Sequence, residues 1–211
     1  MINKELTAEE ILTTMGELYA TCKTYSDSGV VESTIYSDDD YPEVKRVNYK
    51  TAFKRNDRLR FEFHEEGCTA ILWANQKSAK SFWQIRGLRE SKDLGDLIDE
   101  FTLTTCFSAH TVPKMLMSGE VIGMAVCDLV TPEKHPDEKV EADGSVCYHI
   151  QGGFIQGTVL SLFIDKKTFL LRAVESFQVY KDFEVKSQTL YHPVINKPVD
   201  KSELPFNYPR H

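Results

Sequence analysis

Apolar positions between residues 7 and 22 recur with the period of a helix. Ala8, Ile11, Leu12, Met15, Leu18, Tyr19 and Cys22 fall on one side of a 3.6-residue turn. Thr7 can cap the start, and Glu10 three residues later completes a capping box. The stripe predicts a helix over 7–22 whose one face meets something apolar. Asp27-Ser28-Gly29 then breaks the pattern, and the texture changes to β-branched and aromatic residues. Strands are predicted at 30–36, 44–63, 69–74 and 79–85, separated by the acidic turn 37–42 and the polar turn 75–78. The acidic turn lacks the D-x-D-x-D-G spacing of a calcium loop and reads as a solvated hairpin tip.

The middle of the chain is different. Residues 96–107 and 111–117 carry Leu97, Ile98, Phe101, Val112, Met115 and Leu116 at roughly helical spacing, and Ser108 can cap the second segment. Residues 131–144 are rich in proline and acids and read as an exposed loop. Strands resume at 145–151, 158–164, 170–180 and 183–192. Pro193, Pro198, Pro205 and Pro209 make the tail an extended strap. Consecutive strands joined by short turns pair antiparallel. The predicted class is therefore α+β: one large, curved antiparallel sheet with helices packed on one face.

Composition narrows the function. The chain has 211 residues, 41% apolar and 27% charged, which excludes wholesale disorder. The balance of 25 basic against 32 acidic side chains gives a net charge of −7 and argues against nucleic-acid binding. No run approaches the ~18 apolar residues of a spanning helix. The opening, Met1 to Leu6, shows no cationic segment followed by an apolar run. The expectation is a cytoplasmic protein if Met1 is the native start, and an envelope or periplasmic one if a leader was removed. The five cysteines, Cys22, Cys68, Cys106, Cys127 and Cys147, form no C-x-x-C and read as free, mostly buried thiols.

Catalytic motifs are sparse. There is no G-x-S-x-G, P-loop or H-E-x-x-H, and Gly152 to Gly157 opens no helix and reads as a hairpin turn. No histidine stands four residues from another on a helix, so no metal site is expected. Cys147 and His149 share a strand face about 7 Å apart, a nucleophile and base only if a third residue and a cleft complete them. A core cysteine beside a strand histidine is the simpler reading. His110 lies between the two central helical segments, where it caps a helix, faces water or marks a hinge.

Residues 53–63 carry the most information. Alternation puts Phe53, Arg55, Leu59, Phe61 and Phe63 on one face and Lys54, Arg58, Arg60 and Glu62 on the other. Arg55 then lies on the apolar side and must find hydrogen-bond partners. Alternatively, Asn56-Asp57 bends the chain and Arg55 points to solvent. Twelve Phe, nine Tyr and two Trp add to the signal, and in Ala70-Ile71-Leu72-Trp73 both faces are apolar. Such a sheet is either covered on both sides or leaves room for a ligand.

These residues resemble a known family. Lys54-Arg55-Asn56-Asp57-Arg58-Leu59-Arg60-Phe61-Glu62, followed by Ile71-Leu72-Trp73 and Phe82-Trp83, resembles the K-R-P-x-x-F-R-[FW]-E … L-x-x-x-G-x-x-[LI]-W stretch of LolA/LolB-like lipoprotein-localisation factors. The stretch Phe163 to Arg172 resembles the family's W-I-D-x-x-T-x-L-[LI]-R hairpin, and Tyr191 to Phe206 its closing segment around Asn196. Asn56 stands where the family carries proline. The resemblance implies a single domain over 1–211, an incomplete β-barrel with a helical insertion near 94–117 and a strap near 193–211. Helices on the concave side would lid an apolar cavity that holds a lipid or the acyl chain of a lipoprotein. Its lining is expected from Phe53, Leu59, Phe61, Phe63, Trp73, Phe82, Phe101 and Leu116. Arg55 matches the family arginine that bonds the lid helices and is the expected gate. No catalytic residue, metal or cofactor is implied. The expected partners are a lipid or acylated protein and a membrane-associated protein, the chain itself being a monomer. A protein-interaction or sensor module on the same fold is the alternative, and a thiol hydrolase using Cys147 and His149 ranks last.

Overall fold

The computed structural model describes residues 5–37, 41–65, 67–75, 77–91, 94–101, 111–117, 125–140, 144–154 and 157–208, the side chains of 99–101 apart. Among these, three α-helices, α1 (Ala8–Thr21), α2 (Leu94–Phe101) and α3 (Val112–Leu116), accompany twelve strands. The strands before the helical middle are β1 (Thr24–Ser37), β2 (Glu43–Lys54), β3 (Arg58–Glu65), β4 (Cys68–Asn75), β5 (Ala79–Trp83) and β6 (Gly87–Ser91). Those after it are β7 (Val130–Lys139), β8 (Val146–Gly153), β9 (Val159–Asp165), β10 (Leu171–Val179), β11 (Phe183–Leu190) and β12 (Val194–Ile195).

All twelve form one open antiparallel sheet in the order β6-β5-β4-β3-β2-β1-β11-β10-β9-β8-β7, with β12 added beside β1. Two meanders are therefore zipped together along β1 and β11, where Val30 to Ser37 face Leu190 to Phe183. Among the described residues, the strands β6 and β7 are left as the two edges.

Residues paired directly across an antiparallel ladder share a face. Tyr25, Phe53 and Leu59 are successive partners, as are Val31, Thr189 and Val174. This inner face carries Phe61, Phe63, Leu72, Leu162 and Ile150, all buried. Helix α1 lays Ile11, Leu12, Met15 and Tyr19 into the same core cluster, and α3 adds Val112, Met115 and Leu116. The capping box is formed: Glu10 N donates to Thr7 Oγ1 at 3.2 Å and Thr7 N to Glu10 Oε2 at 2.9 Å. Leu18, expected on the buried stripe, is only partly buried.

The other face is covered over β3, β4 and β5 by the strap. Trp73 Nε1 donates to the Leu204 carbonyl at 2.9 Å, Trp73 lies against Phe206, and Phe82 stacks on Tyr208 at 4.6 Å. Arg60 donates to the Pro205 and Asn207 carbonyls. This places Trp73 and Phe82 opposite Phe53, Leu59, Phe61 and Phe63, not beside them. The pairings Trp73↔Arg60 and Phe82↔Ile71 fix that parity.

Three local expectations change. The strand expected from residue 30 starts earlier: β1 begins at Thr24 and runs through the pattern break at Asp27-Ser28-Gly29. Gly29 is there because a Cβ would sit 1.9 Å from the Leu190 carbonyl and 2.5 Å from the Tyr49 hydroxyl. The run 44–63 divides at a turn over 55–57, where Asn56 has φ 60°. Proline, fixed near −65°, cannot adopt that conformation, whereas asparagine tolerates it. Residues 131–139 are not loop but the edge strand β7. Its two prolines, Pro132 and Pro136, fall where the β7–β8 register shifts, so no ladder donor is missed there.

Met15 is fully buried in the core. Met15→Ala should lower the unfolding free energy by roughly 2–5 kcal/mol in urea titration, and Leu18→Ala by clearly less. Equal losses at both sites would show that the helix is not seated on this face.

Candidate functional site

The turn at 55–57 aims one side chain between the helices and the sheet. Arg55 Nη2 donates to the Tyr19 carbonyl at 2.8 Å, Nε to Cys22 at 3.2 Å and Nη1 to Leu116 at 2.6 Å. The last turns of α1 and α3 carry carbonyls with no partner inside their own helices, and the negative ends of both dipoles meet there. Helix α1 has no basic residue in its last turn, so the cation comes from the sheet. The guanidinium also lies 4.7 Å over the Phe53 ring. The two sequence readings of Arg55 thus combine: its backbone is in a bend and its head group turns inward.

The peptide next to this fork is held as well. Arg55 N donates to the Lys23 carbonyl at 2.8 Å, and Lys23 N donates to Asn196 Oδ1 at 2.8 Å. Asn196, part of the closing motif, ties the start of the strap to the junction between α1 and β1.

A buried polar network lies on the same face. Asp27 accepts from the Tyr25 hydroxyl at 2.8 Å and from His192 N at 2.7 Å. Tyr49 Oη shares its one hydrogen between Asp27 at 3.2 Å and the Leu190 carbonyl at 2.7 Å. Tyr191 shares a 2.7 Å hydrogen bond with Thr111 at the start of α3, and Tyr19 Oη accepts from Leu171 N at 3.1 Å. Burial raises the Asp27 carboxyl to about 6, against the pull of its three donors. Sequence reading missed this network because Asp27 fell in the segment that breaks the helical pattern, with no partner within reach of local spacing.

Of the residues expected to line a cavity, Phe53, Leu59, Phe61, Phe63 and Leu116 come together in one core cluster beneath α1 and α3. Trp73 and Phe82 lie under the strap on the other face. Phe101 ends α2, and its side chain lies outside the described residues, as do Cys106, Ser108 and His110. Cys147 Sγ donates to the Ser145 carbonyl at 3.7 Å and His149 Nδ1 bonds Glu138 at 2.9 Å. Among the described residues no three metal-binding side chains converge, and no helix is long and apolar enough to cross a membrane.

No family profile matches the chain, and no curated protein sequence does. Solved structures match in fold. An uncharacterised conserved protein from Thermus thermophilus aligns over 96% of this chain and 94% of its own, at 12% identity and a TM-score of 0.51. LprF from Mycobacterium bovis aligns over 94% and 95%, at 9% identity and 0.46. A LolA superfamily protein from Nitrosomonas europaea aligns over 94% and 98%, at 12% identity and 0.37. The Thermus protein and this chain share a fold. The chain's ordered motifs resemble the LolA/LolB-like proteins, and a member of that superfamily is among the structures it matches.

The Asp27 carboxyl makes stability depend on pH. Its folded value near 6 stands above the ordinary 3.8, so the folded chain holds the proton more tightly. The stabilisation is complete below pH 3.8 and is lost as pH rises through 6, about 3 kcal/mol in all. Asp27→Asn should remove this component. Unfolding free energies of wild type and variant, compared at pH 4.5 and 7.5, should diverge with that sign; parallel profiles would mean Asp27 does not titrate in this window.

Proposed function

We propose that this chain is a non-enzymatic carrier that receives a lipid or acyl chain between the inner sheet face and its helices, with α3 and the helical middle as lid. The observation that carries this reading is the Arg55 fork, one cation bridging the ends of α1 and α3 above a layer of aromatic side chains. A charged clamp over an apolar layer suits a closure that opens. Apolar burial alone has no geometry to specify, whereas a guanidinium has five donors in a fixed fork. The cavity lining in this reading is Phe53, Leu59, Phe61, Phe63 and Leu116, with Phe101 on the lid and Arg55 as the gate. The resemblance to lipoprotein-localisation factors supports an acylated cargo and a place in the cell envelope.

A second reading, a protein-interaction module, has one observation in its favour. Outside the strap's reach, across β1 and β8 to β11, Tyr36, Val159 and Phe177 are about 40% exposed on the outer face beside an open groove of about 480 Å³. Ligand binding separates the two readings.

Bonds from a charged donor contribute roughly 1.5–3 kcal/mol each, so losing even one should shift closure by tenfold or more. Arg55→Leu should stay folded and release a fluorescent fatty acid at least tenfold more slowly, because the closed, empty state competes less well. Arg55→Lys, with a point charge in place of the fork, should fall between. Matching release rates would remove Arg55 as a gate, and no uptake by either protein would remove the carrier reading.

Hydrogen exchange offers a second check. Amides of α3 should exchange faster than those of β9 and slow when fatty acid is added. Equal protection with no ligand response would mean α3 is not a lid.

A further inference from the structure

The outer face near the β7 edge holds two histidines that the sequence separates by fourteen positions and the ladder makes direct partners. His135 on β7 faces His149 on β8. Their rings lie 4.9 Å apart at 32°, and His149 stacks on Phe163 at 4.8 Å and 17°. The His149 side chain is only 14% exposed.

Glu138 Oε1 accepts from His149 Nδ1 at 2.9 Å. A carboxylate on Nδ1 holds a hydrogen there, so in the neutral ring it is Nε2 that carries the lone pair. That Nε2 is buried and has no hydrogen-bond partner among the described residues, and the same holds for His135 Nε2. A buried ring nitrogen without a partner on each of two neighbouring rings is an unfavourable arrangement that a shared cation would resolve. Imidazole bound through Nε2, with its Nδ1–H held by a carboxylate, is how a histidine binds a late first-row metal.

From this juxtaposition we propose that His135 and His149 form a two-imidazole site for a divalent transition metal, Zn²⁺ or Cu²⁺, with Glu138 as the positioning residue. Metal–nitrogen bonds of about 2.0–2.1 Å require the two Nε2 atoms roughly 3–4 Å apart, a spacing within reach of rings this close. No third protein ligand joins them among the described residues, so the proposal leaves the remaining coordination positions to solvent. The site stands on the outer face and is independent of any lipid under the helices. Local spacing could not reveal it, because neither histidine has a partner on its own strand; the β7–β8 register creates the pair.

The test is calorimetric titration of the full chain with Zn²⁺, after removal of metals by chelator, and then with Cu²⁺. One equivalent of Zn²⁺ should bind with a Kd in the micromolar range, roughly 1–50 µM, and Cu²⁺ more tightly. His149→Phe and His135→Phe keep an aromatic ring in the stack and should each weaken Zn²⁺ by at least tenfold. Glu138→Gln should weaken it by about tenfold. The exposed His64→Gln serves as a control and should change nothing. Zn²⁺ should also raise the unfolding temperature of the wild type but not of His149→Phe, a readout that needs only folded protein. Unchanged affinity in both phenylalanine variants, or no Zn²⁺ binding tighter than about 100 µM, overturns the proposal. A proton shared between the two rings gives the second of these results.

Discussion

The junction between α1 and β1 is the constraint on which the arrangement of helices over sheet depends. Within two residues, Cys22 and Lys23, the chain leaves a helix and enters a fourteen-residue strand. Both carbonyls there accept from Arg55, and the Lys23 amide donates to Asn196. Apolar burial supplies more energy than these bonds. Ile11, Leu12, Met15 and Tyr19 together contribute on the order of 6–12 kcal/mol at 1.5–3 kcal/mol each. That energy is non-directional and would tolerate sliding or rotation of α1 on the sheet. The hydrogen bonds fix the position, because each carbonyl can meet the fork from only a narrow range of angles.

The same logic accounts for polar groups inside an apolar face. Asp27 is buried where one unpaired carboxylate would cost several kcal/mol. It is instead surrounded by donors from three strands' worth of chain: Tyr25 on β1, Tyr49 on β2 and the amide of His192 after β11. Gly29 makes room for Tyr49 to reach across to Leu190. The network therefore ties the seam between the two meanders at the level of the helices. Thr111 and Tyr191 extend the tie to α3.

How far the sequence could be read follows from the range of each interaction. Helix α1, its capping box and most strands rest on spacing within a dozen residues and were legible. Asp165 accepts from Lys167 N, Thr168 N and Thr168 Oγ1, so the hairpin signal around it was local too. Strand β7 was not legible, because an acidic, proline-containing edge has no periodicity of its own and takes its structure from β8. Trp73 looked like a cavity residue because both faces of β4 are apolar, and Phe82 on β5 because it follows in the same resembling stretch; only the pairings to Arg60 and Ile71 and the path of the strap show which side they take. Parity left Arg55 with two directions, and its three acceptors lie 33, 36 and 61 residues away, beyond any local pattern.

Under the carrier reading, α3 rather than α1 is the element that opens. Moving α1 would break two of the three Arg55 side-chain bonds, the Tyr19–Leu171 bond and the burial of its whole apolar stripe. It would also strain the peptide that leads directly into β1. Helix α3 is five residues long, and its polar ties include the Leu116 carbonyl on Arg55 and Thr111 on Tyr191. Releasing it leaves Arg55 bonded to Tyr19 and Cys22, so the guanidinium stays in place and can take Leu116 back. On that reading, one arginine is an anchor toward α1 and a latch toward α3. The asymmetry lies in what the helices bring to it, since the same fork serves both.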